Sequence, residues 1–534
     1  MTAGFSKEKL LAIALVVQRR PTRRRLTALT AAVAISALAL TGCSGGHTAA
    51  KVSNSLTFGA IAAPPTLNPA TGDPAYGATY QWAYDPLIVL QPDGSYAPGL
   101  ATKWGYAGQG NKVYQLTFRS GVKFSDGTPL DAQAVKTYLD YERSQKIGSM
   151  APLLVNVSDI QATGPLTLRI DLKTSDPSLT FDFAQGFGAG YIASPKAVAN
   201  PDQLNKGTYG AGPYMVDLSK SVPGDHYAFV QNPYYWNKKA QHWKTVTERV
   251  IPNPSAMVQA MQAGQVQAAL GDATTLTAAK NAGLTVIAPP QAMTGLNLMD
   301  RSGSVSKPLG DVRVRQALNY AVDRKAIAKA LYGNESLSLS QYALEGQAGY
   351  DASLNDKYPY DPKKAKQLLA EAGYPNGFTL PVLDTSVASL DKVIQAIAGQ
   401  LKSVGVTLQI TTKPSVNDFV VAMLSQKFPA AVEAYGLATM SSLFAGYVNP
   451  AGPFNPFHVT DPELDALYAK YYSANEKDGA ALQKQINARL VTQGWSVPVV
   501  GAPLSYYEAK GITGTEATSA NGGVPHLTEI RPSN

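Results

Sequence analysis

One cysteine, Cys43, in 534 residues excludes an intrachain disulfide and any zinc site built from several thiolates. Histidine is scarce too: His47, His226, His242, His458 and His526 are dispersed, with no His-Glu-x-x-His run among them. A Gly-x-x-x-x-Gly-Lys-[Ser/Thr] phosphate loop is missing as well. After residue 42 there is no run of 18 or more apolar residues, so no later segment reads as a membrane span. Excess charge is also nearly absent from the body of the chain. Of the net +8, the first 42 residues supply +6, through Lys7, Lys9, Arg19, Arg20, Arg23, Arg24 and Arg25 against Glu8. The remaining +2 gives no electrostatic footprint for nucleic acid. What is left is ordinary for a folded protein, 45% hydrophobic and 16% charged, and 534 residues exceed what one hydrophobic core usually organises.

The front of the chain has the layout of an export signal. Arg23 to Arg25 precede an apolar run, Leu26 to Leu40, broken by threonines and a serine, which suits a secretory leader better than a stable span. Leu40-Thr-Gly-Cys43 resembles a bacterial lipobox. That resemblance implies a lipoprotein signal peptide over 1–42 and lipid on Cys43, which becomes the first mature residue. Two alternatives stand: a twin-arginine signal using Arg24 and Arg25, and a secretory leader in which Cys43 is incidental. Residues 43–55 are small and polar without apolar period, and read as a flexible tether.

Beyond the tether, strand and helix signals alternate. Tyr114, Leu116 and Phe118 share one face of a period-two pattern, as do Leu166, Leu168, Ile170 and Leu172. Helices are expected after Asp131, at Pro254, after Asp311 and Asp323, and at Asp361-Pro362, where a capping residue precedes an apolar stripe of helical spacing. Phe378 to Leu383, Val406 to Ile410 and Ala430 to Val432 read as strands separated by helical patterns, a β-α-β cadence for a second α/β lobe.

Aromatic spacing raises a further possibility. Tyr76, Tyr80, Trp82 and Tyr84 fall on even positions; on a strand all four point to one face, while on a helix they spread around it. Such rings line a cleft for a sugar or peptide, or fill the core.

An ordered set of motifs then identifies a family. Leu100-Ala-Thr-Lys-Trp104, Tyr114 to Leu130 (YQLTFRSGVKFSDGTPL), Gly210-Ala-Gly-Pro-Tyr214, Asn232-Pro-Tyr-Tyr-Trp236, Asp311 to Arg324 and Tyr360 to Tyr374 together resemble the extracytoplasmic solute-binding protein family 5 of ABC importers. The resemblance implies an α/β, two-lobed periplasmic-binding-protein-like fold of the cluster C type, with an extra subdomain inserted in the first lobe. Its expected division is lobe 1 over 56–293 with the insertion at about 76–205, lobe 2 over 294–500, and a C-terminal return to lobe 1 over 501–534. It implies no enzyme, no cofactor and no metal. The work it implies is capture of a solute, an oligopeptide first, and delivery to ABC permease subunits by a monomer held on the extracytoplasmic face of the cell membrane. The motif residues themselves, among them Arg119, Lys123, Asp126, Arg313, Arg315 and Trp236, are expected to serve the scaffold more than the ligand.

Cargo depends on where the chain departs from the family. Peptide-binding members carry an acidic residue in an aromatic-rich segment, where it pairs with the peptide's amino group. The comparable segment here is Glu433 to Phe444, with Leu437 or Ala438 at the acidic position. A buried ammonium without that partner pays a desolvation cost. Glu433 is the substitute from a shifted position; a non-peptide solute such as an oligosaccharide is the alternative, and a chelated metal a third. The expected solute contacts are Trp82, Tyr84, Asn297, Tyr435 and Phe444. A cell-surface sensor or chaperone is the reading from another class.

Overall fold

The structure is a computed structural model that describes residues 54–533, apart from 187, 387–389 and 437–438. The leader 1–42, Cys43, nearly all of the tether and the two candidate positions Leu437 and Ala438 therefore lie outside the described residues.

Two sheets organise the body, each with its own buried apolar cluster. In the seven-stranded sheet of the first lobe, Ser55–Ala60 lies between Thr245–Val250 and Ala268–Leu270 and runs parallel to both. His226–Gln231 and Tyr214–Val216 extend one side, and Tyr506–Glu508 and Thr285–Ile287 the other. The strand Tyr506–Glu508 comes from the C-terminal end of the chain and pairs with both Ala268–Leu270 and Thr285–Ile287. The second lobe has five strands in the order Val406–Lys413, Phe378–Thr385, Ala430–Gly436, Pro290–Leu298, Ser496–Pro503. Its first three are parallel, joined by the helices Leu390–Lys402 and Val416–Leu424 as the cadence predicts.

A four-stranded antiparallel sheet, Ala101–Tyr106, Val113–Phe118, Thr167–Leu172 and Val157–Gly164, forms a separate layer within the first half of the chain. Tyr114, Leu116 and Phe118 are at most 2% exposed, so the period-two pattern marks the face that packs. Asp131 accepts a hydrogen bond from the Ala134 amide at 2.8 Å and starts the helix Ala132–Ser144. Asp311, Asp323 and Asp361 cap their helices in the same way.

The shared motif side chains hold this scaffold together. Arg119 lies 4.0 Å over the Trp236 ring and donates to the Gly99 carbonyl at 3.1 Å. Trp236 donates its indole N–H to Asp85 at 2.8 Å, and the Tyr235 hydroxyl donates to the other oxygen at 3.3 Å. Burial pushes the Asp85 carboxyl up to about 7, against the pull of those donors and of Arg119. Arg315 donates to the Leu309 and Gln493 carbonyls, and Asp126 accepts from Ser194. Gly210 and Gly212 are glycines for a steric reason: a Cβ at Gly210 falls 2.2 Å from the Ala83 carbonyl oxygen, and one at Gly212 falls 2.5 Å from its carbon. The motif thus seals the strand Tyr214–Val216 onto the helix Gly77–Ala83.

That helix settles the question of the even-numbered rings. Gly77–Ala83 is helical, so Tyr80 and Trp82 diverge around it instead of sharing a strand face.

Candidate functional site

In open α/β sheets, ligands bind beyond the carboxyl ends of parallel strands, at the point where the chain switches from one side of a strand to the other. Ser55–Ala60 supplies such a point: the chain leaves Thr245–Val250 on one flank, forms the helix Pro254–Gln262, and returns as Ala268–Leu270 on the other flank. Ala60 and Leu270, the last residues of two of these strands, border a cavity of about 160 Å³. The helix Gly77–Ala83 covers it through Ala78 and Thr79. Glu248 reaches it from the strand Thr245–Val250.

The second lobe contributes a dense aromatic cluster beside its sheet. Tyr435 stands edge-on to Tyr447 at 5.2 Å and to Tyr342 at 6.2 Å, and its hydroxyl donates to the Thr439 carbonyl at 3.3 Å. Phe444 packs on Tyr468 at 4.4 Å and meets Tyr472 edge-on at 5.9 Å. Tyr447 stacks on Phe454 at 4.5 Å. Ring pairs in these geometries gain about 0.5–1.5 kcal/mol beyond their burial. Tyr435 and Phe444 remain partly exposed, whereas Tyr447 and Tyr468 are buried.

Inside this cluster lies a carboxylate. Glu433, on the same strand and the same face as Tyr435, is 4% exposed, and neither of its oxygens has a hydrogen-bond partner. Burial pushes it up to about 8; Ser496 and Arg301 are near enough to oppose that shift, yet neither makes a hydrogen bond with it. Arg301 lies 3.7 Å over the Trp495 ring and donates to the Leu298 carbonyl at 2.6 Å and to Asn455 at 3.2 Å. Desolvation lowers its affinity for a proton, but a guanidinium keeps its charge at neutral pH.

The five expected contact residues separate into three positions. Tyr435 and Phe444 come together in the second-lobe cluster with part of each ring accessible. Asn297 is 4% exposed and joins the edge of that cluster, its amide donating to the Phe454 carbonyl at 3.1 Å. Trp82 and Tyr84, both at 0% exposure, belong to the first-lobe core. Trp82 packs on Phe58 and Tyr214, and the Tyr84 hydroxyl accepts from the Tyr209 amide at 3.2 Å. Both are enclosed and neither borders the cavity at Ala60 and Leu270, so in this arrangement they offer a solute no surface, unlike the cleft position expected of them. Glu248 and Arg301 escaped the sequence reading. The signal for Glu248 is its slot in Thr-Val-Thr-Glu-Arg-Val, where Val246 and Glu248 share the buried face.

No cluster of three or more His, Cys, Asp or Glu suited to a metal occurs among the described residues. Nor is any described helix long and apolar enough to cross a membrane.

Comparison with known proteins agrees with this geometry. The family model "Bacterial extracellular solute-binding proteins, family 5 Middle" matches residues 95–453. The chain is 26% identical over 419 residues to a glutathione-binding protein of Salmonella paratyphi A, covering 75% of this chain and 80% of that one. It is 31% identical over 334 residues to the nickel-binding periplasmic protein of Escherichia coli, covering 59% of each. Among solved structures, the ABC transporter substrate binding protein CtaP of Listeria monocytogenes superposes with a TM-score of 0.76 at 20% identity, over 90% of this chain and 100% of that one. The two-lobed mixed α/β fold is that of this cluster C group.

Proposed function

Because the chain belongs to the bacterial extracellular solute-binding proteins of family 5, we propose that it captures an extracellular oligopeptide between its lobes and delivers it to an ABC permease. It is a binding protein, and its work is capture, closure and release without a chemical step.

The observation that carries this reading is a double crossing between the lobes. Pro290–Leu298 and Ser496–Pro503 pair side by side in the second sheet, and Thr285–Ile287 and Tyr506–Glu508 pair side by side in the first. Two adjacent connections at residues 288–289 and 504–505 make a hinge about which each sheet and its core move as a body. We place the boundaries at these crossings, a few residues from the expected ones, so that lobe 1 with its insertion runs over 56–287, lobe 2 over 290–503 and the return over 506–534, with Tyr435 and Phe444 as solute contacts.

Peptide is placed first because a relative over most of the chain is named for glutathione, a tripeptide. A non-peptide solute is the second reading, and the position of Glu433 favours it. The carboxylate is enclosed by Tyr342, Tyr447 and Arg301, so in this arrangement it gives a peptide's amino group no partner. The relative named for nickel shows that the solutes of similar proteins are not all peptides.

Intrinsic fluorescence and thermal shift against tripeptides with free and blocked amino termini, maltotriose and Ni²⁺ test the reading. A saturable response to tripeptides supports it, and a response confined to maltotriose or Ni²⁺ moves the protein to the second reading. Lipid on Cys43 places the receptor at the membrane; Cys43→Ser is expected to move it to the soluble fraction, and retention on the membrane contradicts the anchor.

A further inference from the structure

The cavity above Glu248 is a built site that holds a buried acceptor without a hydrogen-bond partner. Its wall is formed largely by Ala60, Ala78 and Leu270, with polar side-chain atoms only on Tyr76, Thr79 and Glu248. Thr79 donates its hydroxyl hydrogen to Glu248 Oε1 at 2.5 Å, which leaves that hydroxyl no proton for a ligand. Glu248 Oε2 has no hydrogen-bond partner although the side chain is 0% exposed. Burial pushes the Glu248 carboxyl up to about 7; Thr79 and the Trp82 indole N–H oppose that shift, although the indole is without a hydrogen bond. Ile61, 46% exposed, and the exposed Ala75 form the mouth, so the cavity opens to solvent.

We propose that this first-lobe cavity is a solute subsite that takes a primary ammonium or guanidinium group, with Glu248 as its partner. Three features select that chemistry. A buried acceptor without a partner carries the desolvation cost of the group, which an incoming donor removes. A cationic donor forms a charge-assisted bond, about twice as strong as a neutral one. Ligand carboxylate or phosphate meets a carboxylate in an apolar wall and is repelled. The alanines leave room for the methylenes of a lysine or arginine side chain, whose apolar stem packs while its head reaches Glu248. The location at the carboxyl end of Ser55–Ala60, at the switch point of the sheet, places the cavity where the fold brings ligands.

This subsite rests on the solute-binding reading, and the test separates the two. Calorimetric titration compares Ala-Lys-Ala with Ala-norleucine-Ala, which has the same stem without the ammonium, and adds agmatine as a cation without a peptide. Wild type is expected to bind the lysine peptide about tenfold or more tighter than the norleucine peptide. Glu248→Gln removes that preference, bringing the two peptides to within about twofold of each other. Ala75→Leu, which narrows the mouth and leaves the carboxylate in place, weakens the lysine peptide as well; its exposed position keeps it from disturbing the core if Glu248→Gln fails to fold. Equal affinity for the two peptides, or a lysine preference that survives both substitutions, overturns the subsite and leaves peptide capture standing. Binding of agmatine that depends on Glu248, with neither peptide bound, supports the subsite and removes the peptide reading. Silence from all three probes overturns both.

Discussion

Glu248 in the first lobe and Glu433 in the second each occupy a buried slot of a strand, and the two have different surroundings. Glu248 in the first lobe has one hydroxyl donor, the Trp82 ring beside it, and a cavity open to solvent at the other side. Glu433 in the second lobe has no hydrogen-bond partner, a guanidinium nearby, and Tyr342 and Tyr447 around it. The rings differ in the opposite sense. Trp82 and Tyr84 are fully enclosed, whereas Tyr435 and Phe444 keep an accessible edge. Residue type alone therefore does not separate scaffold from binding surface. In the first lobe the carboxylate borders a cavity and the rings are enclosed; in the second the rings keep an accessible edge and the carboxylate is walled in.

The largest effect that sharpens this contrast is expected from Trp82→Ala. Removing an enclosed ring leaves a cavity and deprives Glu248 of its indole neighbour, at a cost of about 3–5 kcal/mol in urea-induced unfolding. A loss below 1 kcal/mol means the ring is not part of the core.

Glu433→Gln acts in the other direction. The folded carboxyl titrates at about 8 while the unfolded one titrates near 4.5. The folded state thus holds a proton that the unfolded state releases, and the stability associated with it is complete below about pH 4.5 and is lost as pH rises through about 8. Gln has no such linkage, so the variant is expected to gain on the order of 3 kcal/mol at pH 7, with the gain vanishing below about pH 4.5. Thermal unfolding across that range measures it. A loss of stability at pH 7 instead means that Glu433 is ionised and paired with Arg301 in the folded protein.

Tyr435→Phe gives the smallest change in stability. The variant loses one hydrogen bond to the Thr439 carbonyl and keeps the ring contacts, so unfolding shifts by about 1 kcal/mol or less. A shift beyond 2 kcal/mol places this hydroxyl in a larger network than the one described.

Much of the architecture could be read in advance because its signals are local. A capping aspartate satisfies backbone amides within three residues, so Asp131, Asp311, Asp323 and Asp361 announce their helices wherever they sit in the fold. Tyr114, Leu116 and Phe118 alternate because one face of their strand packs. The helix Gly77–Ala83 was ambiguous for the converse reason: seven residues without a side-chain cap give neither period enough length to dominate. Burial of Trp82 and Tyr84 depends on Phe58, Tyr214 and Gly210, more than twenty to more than a hundred positions away, and no local pattern carries that information. The burial of the two glutamates was hidden by the rule that makes patterns readable, which assigns charge to the outer face. Glu248 and Glu433 each break that rule inside an otherwise regular strand, and such a break marks a position where function or strain overrides packing.

Calorimetric titration of the purified mature protein with a panel of free tripeptides tests the central claim most directly. The account predicts saturable binding at one peptide per chain, with the peptide recovered intact. Absence of binding across the panel, or recovery of cleaved peptide, contradicts it.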